Sequence, residues 1–222
     1  MRNLYRVGGA SAILLGISYL VITVLYAFSG ALPDGAEEWV GHISGHITEW
    51  WAILGLSVLT DFLFIPVMWA LYLSLKDINK NAMLAGAGLV VLFVLLDLAV
   101  TWPNYSSLIT LSGNYAAAMD DTQRTALAAA ANYASGVLSS GLFGVYAILV
   151  PSLGILIIGL VMLKGVFGKA MGFLGVATGI LGIISVAGPI FIDALGMTAI
   201  LTSILTTVWV LLAGYKLLRQ IK

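Results

Sequence analysis

Residues 54–73, LGLSVLTDFLFIPVMWALYL, and residues 89–102, LVVLFVLLDLAVTW, decide the fold. Each is an apolar run interrupted by one carboxylate, Asp61 in the first and Asp97 in the second. A helix of about 20 apolar residues crosses the roughly 30 Å of hydrocarbon in a bilayer. In lipid, only a helix of this kind satisfies its own backbone polar groups. Both runs therefore read as membrane-spanning helices. A carboxylate at the centre of such a helix costs roughly 2.5–3.5 kcal/mol on insertion scales. That cost points to a partner, a wet cavity or a function.

The composition agrees. Of 222 residues, 61% are hydrophobic and 9% charged, and the mean hydropathy is +1.07. A soluble domain holds about 45–50% apolar and about 25% charged residues. A water-soluble core of this size cannot hide the excess. The formal net charge is zero, so no global field attracts nucleic acid. The absence of cysteine excludes disulfides, thiol catalysis and thiolate metal sites. The start, with Arg2 and Arg6 before an apolar stretch and AFSGA at 27–31, imitates a signal peptide. Its apolar stretch, Val7 to Phe28, exceeds the usual ~7–15 residues, so an uncleaved first helix is expected.

Six spans follow, at roughly 7–29, 50–75, 82–102, 137–163, 167–189 and 194–216. Arg2, Arg6, Lys76, Lys80, Lys164, Lys169, Lys216, Arg219 and Lys222 fall on one side of this topology, and Arg124 on the other. Asp34, Glu37, Glu38, Glu49, Asp120, Asp121 and Asp193 mark the opposite face. The positive-inside rule then puts both termini in the cytoplasm. The expected architecture is all-α: one domain over 1–222, a polytopic bundle of six transmembrane helices in the plasma membrane. Outer segments lie at about 31–49 and 103–135. In the second, DDTQRTALAAAANYA opens with capping residues and continues in helix formers, so it is expected to extend span four outward. Trp39, Trp50, Trp51 and Trp102 gather at the outer boundary, where amphipathic rings prefer to sit.

Gly165, Gly168, Gly172, Gly175, Gly179 and Gly182 recur at steps of three and four. Small residues so placed let helices approach closely in lipid. Packing inside the bundle is the simpler reading; a homodimer through the Gly168-Gly172-Gly175-Gly179 face is the other. Pro66, Pro151 and Pro189 fall in or at the end of spans and should bend them. No internal repeat supports an inverted-repeat transporter.

Two constellations could carry chemistry. His42, His46 and Glu49 share one face if the segment is a continuous helix, and imidazoles with a carboxylate can hold a zinc-like metal. A merely wet, acidic interfacial segment is the simpler account, so no cofactor is the leading expectation. His46, Trp50, Ser57 and Asp61 also approximate one face, with Asp61 roughly 15–20 Å below the outer boundary by helix rise. Asp97 then sits shallow, near the outer end of span three, and Asp193 at the outer edge. Thr198, Thr202 and Thr206 continue down span six. A cavity open to the outside, with acidic walls and Asp61 at its floor, unites these positions. The structural alternative is a protonated Asp61 bonded to a carbonyl freed by Pro66 or to a Tyr or Ser hydroxyl. No lysine sits mid-span for a retinal Schiff base, the two histidines are too close for a haem across the bundle, and Walker and GxSxG motifs are absent.

The run HITEWWAILGLSVLTDFLFIPVMWALYLSLKDIN, with His46, Gly55, Asp61 and Ala70-Leu71-Tyr72, resembles an uncharacterised prokaryotic family of six-span membrane proteins, a domain of unknown function. LGILIIGLVMLKGVFGKAMGFLGVATGILG is similar to that family's link between spans four and five, with Gly168-Lys169 in place of a proline-arginine step. Thr48 and Trp50-Trp51 stand where the family often has Glu and Arg. The resemblance implies a six-helix bundle and supplies no activity. The leading functional expectation is a non-catalytic protein that binds membrane lipid or a small amphipathic ligand near Asp61. A proton-coupled transporter using Asp61, with Asp97 as a companion, is second. A membrane metalloenzyme built on His42, His46 and Glu49 is third.

Overall fold

The computed structural model describes residues 2–30, 33 and 35–219. Asp34 and Lys222, and the Arg2 side chain, lie outside what is described. The described chain is 92% helical and has no strand. Five of its helices are long and apolar enough to cross a membrane. The elements are α1 (Arg2–Ser29), α2 (Ala36–Ser44), α3 (Ile47–Leu96), α4 (Trp102–Ala117), α5 (Asp121–Leu138), α6 (Gly141–Gly144), α7 (Val150–Met162), α8 (Lys169–Ala187) and α9 (Thr198–Arg219).

The longest of these, α3, is not one rod. Asn79 leaves helical geometry (φ −156°, ψ 93°), and its Oδ1 accepts from Ala82 N at 3.0 Å. This is an N-cap, which satisfies a donor that the new first turn would leave unpaired. In a straight helix Phe64 and Phe93 would stand about 44 Å apart at 1.5 Å per residue, yet their rings lie 6.0 Å apart. The chain therefore doubles back at Asn79 into two packed limbs.

The second limb does not stop at 102, where the sequence places the end of a span. It passes through a π-helical turn, Asp97–Thr101, and runs on through α4 to Ala117. The wide turn admits Pro103, which has no N–H to donate. Trp102 N–H bonds Asp97 O across it, and Asn104 Nδ2 takes Val100 O at 2.7 Å. A second π-helical turn, Val145–Leu149, precedes Pro151 in the same way. The expected continuity of the 121–135 helix with span four also fails. Asp120 caps α5 through Gln123 N at 2.7 Å, but α5 ends at Leu138, and Ser140 caps a new helix through Phe143 N at 3.3 Å.

Two hydrophobic cores result. The larger lies within the bundle and includes Leu15, Phe64, Met68, Leu71, Met83, Ile158, Phe167 and Trp209. The smaller joins α2, α4 and α5 into a cap over the far end, around Trp39, Ile43, Trp50, Tyr105, Leu108 and Ala131. At the opposite end, the α7–α8 link meets both the Asn79 turn and the end of α9. A Cβ on Gly165 would meet Leu75 and Ile78 side chains at 2.7 Å, and Lys216 Nζ donates to Phe167 O.

The glycine stripe packs inside the chain. A Cβ on Gly172 would meet Leu163 N at 2.7 Å, on Gly175 Trp209 Nε1 at 2.9 Å, and on Gly179 Ser152 O at 2.7 Å. Gly168 precedes α8 with φ +80°. The proposed dimer face is thus occupied by α7 and α9 of the same molecule, and a second copy could reach Gly172, Gly175 and Gly179 only by displacing them.

Candidate functional site: a two-part cavity beneath an aromatic cap

Asp61 and Asp97 converge although each belongs to a different limb of α3 and its continuation. Both are almost fully buried, 1% and 5% exposed, and both line a cavity of about 210 Å³. Trp102 Nε1 donates to Asp61 Oδ2 at 2.6 Å. Thr101 Oγ1 donates to Asp97 Oδ1 and pairs with Tyr146 OH at 3.0 Å. Thr101 belongs to the first π-helical turn and Tyr146 to the second, so the two wide turns meet at the carboxylates. Such turns expose backbone and side chains that a regular helix would hide, and they recur at functional sites. Ser57 and Thr60 complete this polar end with Asp61.

A second cavity, of about 300 Å³, adjoins the first. Tyr19, Ile22, Tyr26, Phe93 and Ala147 line both. Its walls are mainly apolar, with Phe64, Val90 and Ile155, and the α9 hydroxyls Thr202, Ser203, Thr206 and Thr207 edge it. It reaches the perimeter between α1 and α9, where Thr23 and Ser203 are exposed. Glycines bring α1 and α9 together toward the other end, Gly9 against Leu218, Gly16 against Leu211 and Gly214 against Ala12, and the larger cavity lies against residues of their far halves. The two adjoining spaces thus offer a carboxylate-bearing compartment and an apolar compartment that reaches the perimeter, with five wall residues in common.

Among the described residues, neither lining contains Lys, Arg or His. The carboxylates are held by neutral donors alone. The expected partners of Asp61 are replaced: the indole of Trp102 occupies the role assigned to a Pro66-freed carbonyl or a hydroxyl. Asp97 is not shallow, because its helix continues past 102. Asp193 lies in an exposed turn, Asp193–Met197, outside both linings. The expected acidic outer wall is thus the Asp61–Asp97 pair alone.

The cap closes the polar end. Trp50 stacks on Tyr105 (5.7 Å, 21°) and Tyr105 on Trp102 (5.8 Å, 30°). Trp39 and Tyr26 meet Trp50 edge-on, each at 5.6 Å. Trp50 itself lines neither cavity and acts through Tyr105, which does. His42 and His46 rings are 6.0 Å apart. The continuous helix needed to align them with Glu49 is broken, since α2 ends at Ser44 and His46 caps α3. Among the described residues no three His, Cys, Asp or Glu side chains gather as a metal site. His42 Nε2 is buried without a partner. Burial, and then the neighbouring His46, lower the His42 pKa from its ordinary value.

Thr101 carried a readable signal, since it stands four residues from Asp97 on one face. Tyr146 carried none, because no local spacing links it to either carboxylate. No family model matches the chain, and neither a curated protein nor a solved structure matches it.

Proposed function

We propose that this is an integral membrane protein of the plasma membrane with six crossings and cytoplasmic termini, which binds a lipid-like or small amphipathic molecule without chemical conversion. The observation that carries the proposal is the pair of adjoining cavities: an apolar compartment edged by α1 and α9, sharing five lining residues with a compartment that holds Asp61 and Asp97. The larger compartment is near the lower edge of the roughly 300–1,000 Å³ typical of small-molecule sites. An amphiphile would enter from the outer half of the bilayer, tail against Phe64 and Ile155, head toward the carboxylates. Six crossings are supported by the return at Asn79 and by the basic residues at the turns near the termini. Native mass spectrometry after mild extraction tests the binding. Wild type should carry a bound amphiphile, and Ile155→Trp, which fills the apolar compartment, should not. Wild type devoid of any adduct counts against the proposal.

Proton-coupled transport is the second reading, favoured by two carboxylates sharing one cavity, because buried carboxylates of this kind serve proton relays. Uptake of the bound amphiphile into proteoliposomes should then require a pH gradient and stop in Asp61→Asn. Undiminished uptake by that variant removes this reading.

A further inference from the structure

We infer that the ligand carries a cationic head: the cavity selects a lipophilic amine or quaternary ammonium, whose charge sits between Asp61 and Asp97. This rests on the binding proposal above and specifies its ligand class. Three observations carry it. First, both carboxylates are buried, yet one oxygen of each, Asp61 Oδ1 and Asp97 Oδ2, has no hydrogen bond among the described residues, while Trp102 and Thr101 hold the others. Both residues line the smaller cavity, and a carboxylate so placed is stabilised by a group in that space that donates or carries positive charge. Second, the protein supplies no cation of its own, since neither lining contains Lys, Arg or His. Third, the walls beside the carboxylates are aromatic: Tyr19, Tyr26, Trp102, Tyr105 and Phe143. Ring faces attract cations; a quaternary ammonium has no N–H and relies on that attraction and on charge, whereas a protonated amine would also donate to the carboxylate oxygens. A cationic head would favour the ionised form of both carboxylates, an anionic head would oppose it, and a neutral head could donate a hydrogen bond but would gain no charge attraction.

The apolar compartment fixes the rest of the ligand. Phe93 and Ala147 line both compartments, and Val90 and Ile155 line the apolar one, so the ligand inferred carries a single short apolar chain or ring behind its head.

Isothermal titration of the full chain in lipid nanodiscs tests this, with empty nanodiscs subtracted and the lipid amount held constant. The probes are hexyltrimethylammonium, 1-hexanol and hexanesulfonate, which share a tail and differ in head charge. The cation should bind at least tenfold more tightly than the other two. Asp61→Asn and Asp97→Asn should each reduce that preference severalfold, and the double variant should abolish it while hexanol binding persists. Equal binding of all three probes to wild type overturns the inference and leaves the cavity proposal standing. So does a cation preference that survives the double variant. If none of the three binds wild type, both the inference and the binding proposal fail. The wild-type comparison decides by itself if a variant does not fold.

Discussion

Trp102 holds Asp61 through one indole hydrogen bond of 2.6 Å, and losing it would leave a buried oxygen without a donor. Such a loss costs about 1–3 kcal/mol. Trp102→Phe should therefore lower the unfolding midpoint in detergent, whereas Trp69→Phe, at a position 60% exposed, should leave it nearly unchanged. His42 gives a pH prediction of definite sign. Burial and His46 lower its pKa in the folded state, so its neutral form is favoured by folding. Well above the ordinary histidine value of about 6.5 both states are neutral and nothing is lost. As pH falls below that value the unfolded chain takes the proton first, and the folded state loses stability. Unfolding midpoints measured across this range should fall with pH in wild type, and less steeply in His42→Gln. Asp61, Asp97 and Ser57, which the sequence singled out because carboxylates and a hydroxyl on apolar helices stand out by their cost, line one cavity in the structure. The sequence misjudged the depth of Asp97 and the role of Trp102. Both errors share one cause: a helix expected to end at 102 makes its last residues look like boundary residues.

Backbone meets backbone closely between α7 and α8, as it does at other glycine contacts of the bundle. A Cβ on Gly159 would sit 2.7 Å from Val176 N and 2.8 Å from Gly175 C. Backbone cannot swing aside as a flexible side chain can. Gly159→Ala should therefore destabilise by about 1–3 kcal/mol, the usual range for overpacking. Gly88 lies in the second limb of α3 with nothing near its Cβ position, and Gly88→Ala should be neutral or stabilising by up to about 1 kcal/mol, the helical preference for Ala. Thermal unfolding of the two variants side by side checks both. The glycine spacing was visible in sequence, since it follows helical periodicity. Which helix it faces was not, because a small-residue stripe suits an internal neighbour and a second copy equally well. The break at Asn79 was visible as the polar interval between the spans at 50–75 and 82–102, whereas the break at Ser139 was hidden. The latter depends on the Ser140 capping side chain inside a stretch whose hydropathy barely changes.

Charge segregation is the property of the whole molecule that topology rests on. Lys76 and Lys80 flank the Asn79 turn, and Lys164 and Lys169 flank the α7–α8 link. Arg124 instead lies near Tyr115, 5.9 Å from its ring, within the cap. The natural absence of cysteine makes single-cysteine labelling clean. In intact cells a membrane-impermeant maleimide should label Tyr133→Cys, at a position 78% exposed in the cap, and should not label Lys80→Cys until the cells are opened. The reverse pattern would invert the proposed orientation. The all-α class was legible from hydropathy alone. The cap was not, since α2, α4 and α5 bury their apolar faces against one another through contacts distant in sequence. The lateral mouth between α1 and α9 has a consequence for how affinity is counted. A ligand arriving through it is drawn from the bilayer, so its effective concentration is its mole fraction among lipids. For a strongly partitioning amphiphile, a dissociation constant quoted per litre of water would drift with the lipid added to the sample. The same constant quoted per mole of lipid would stay fixed.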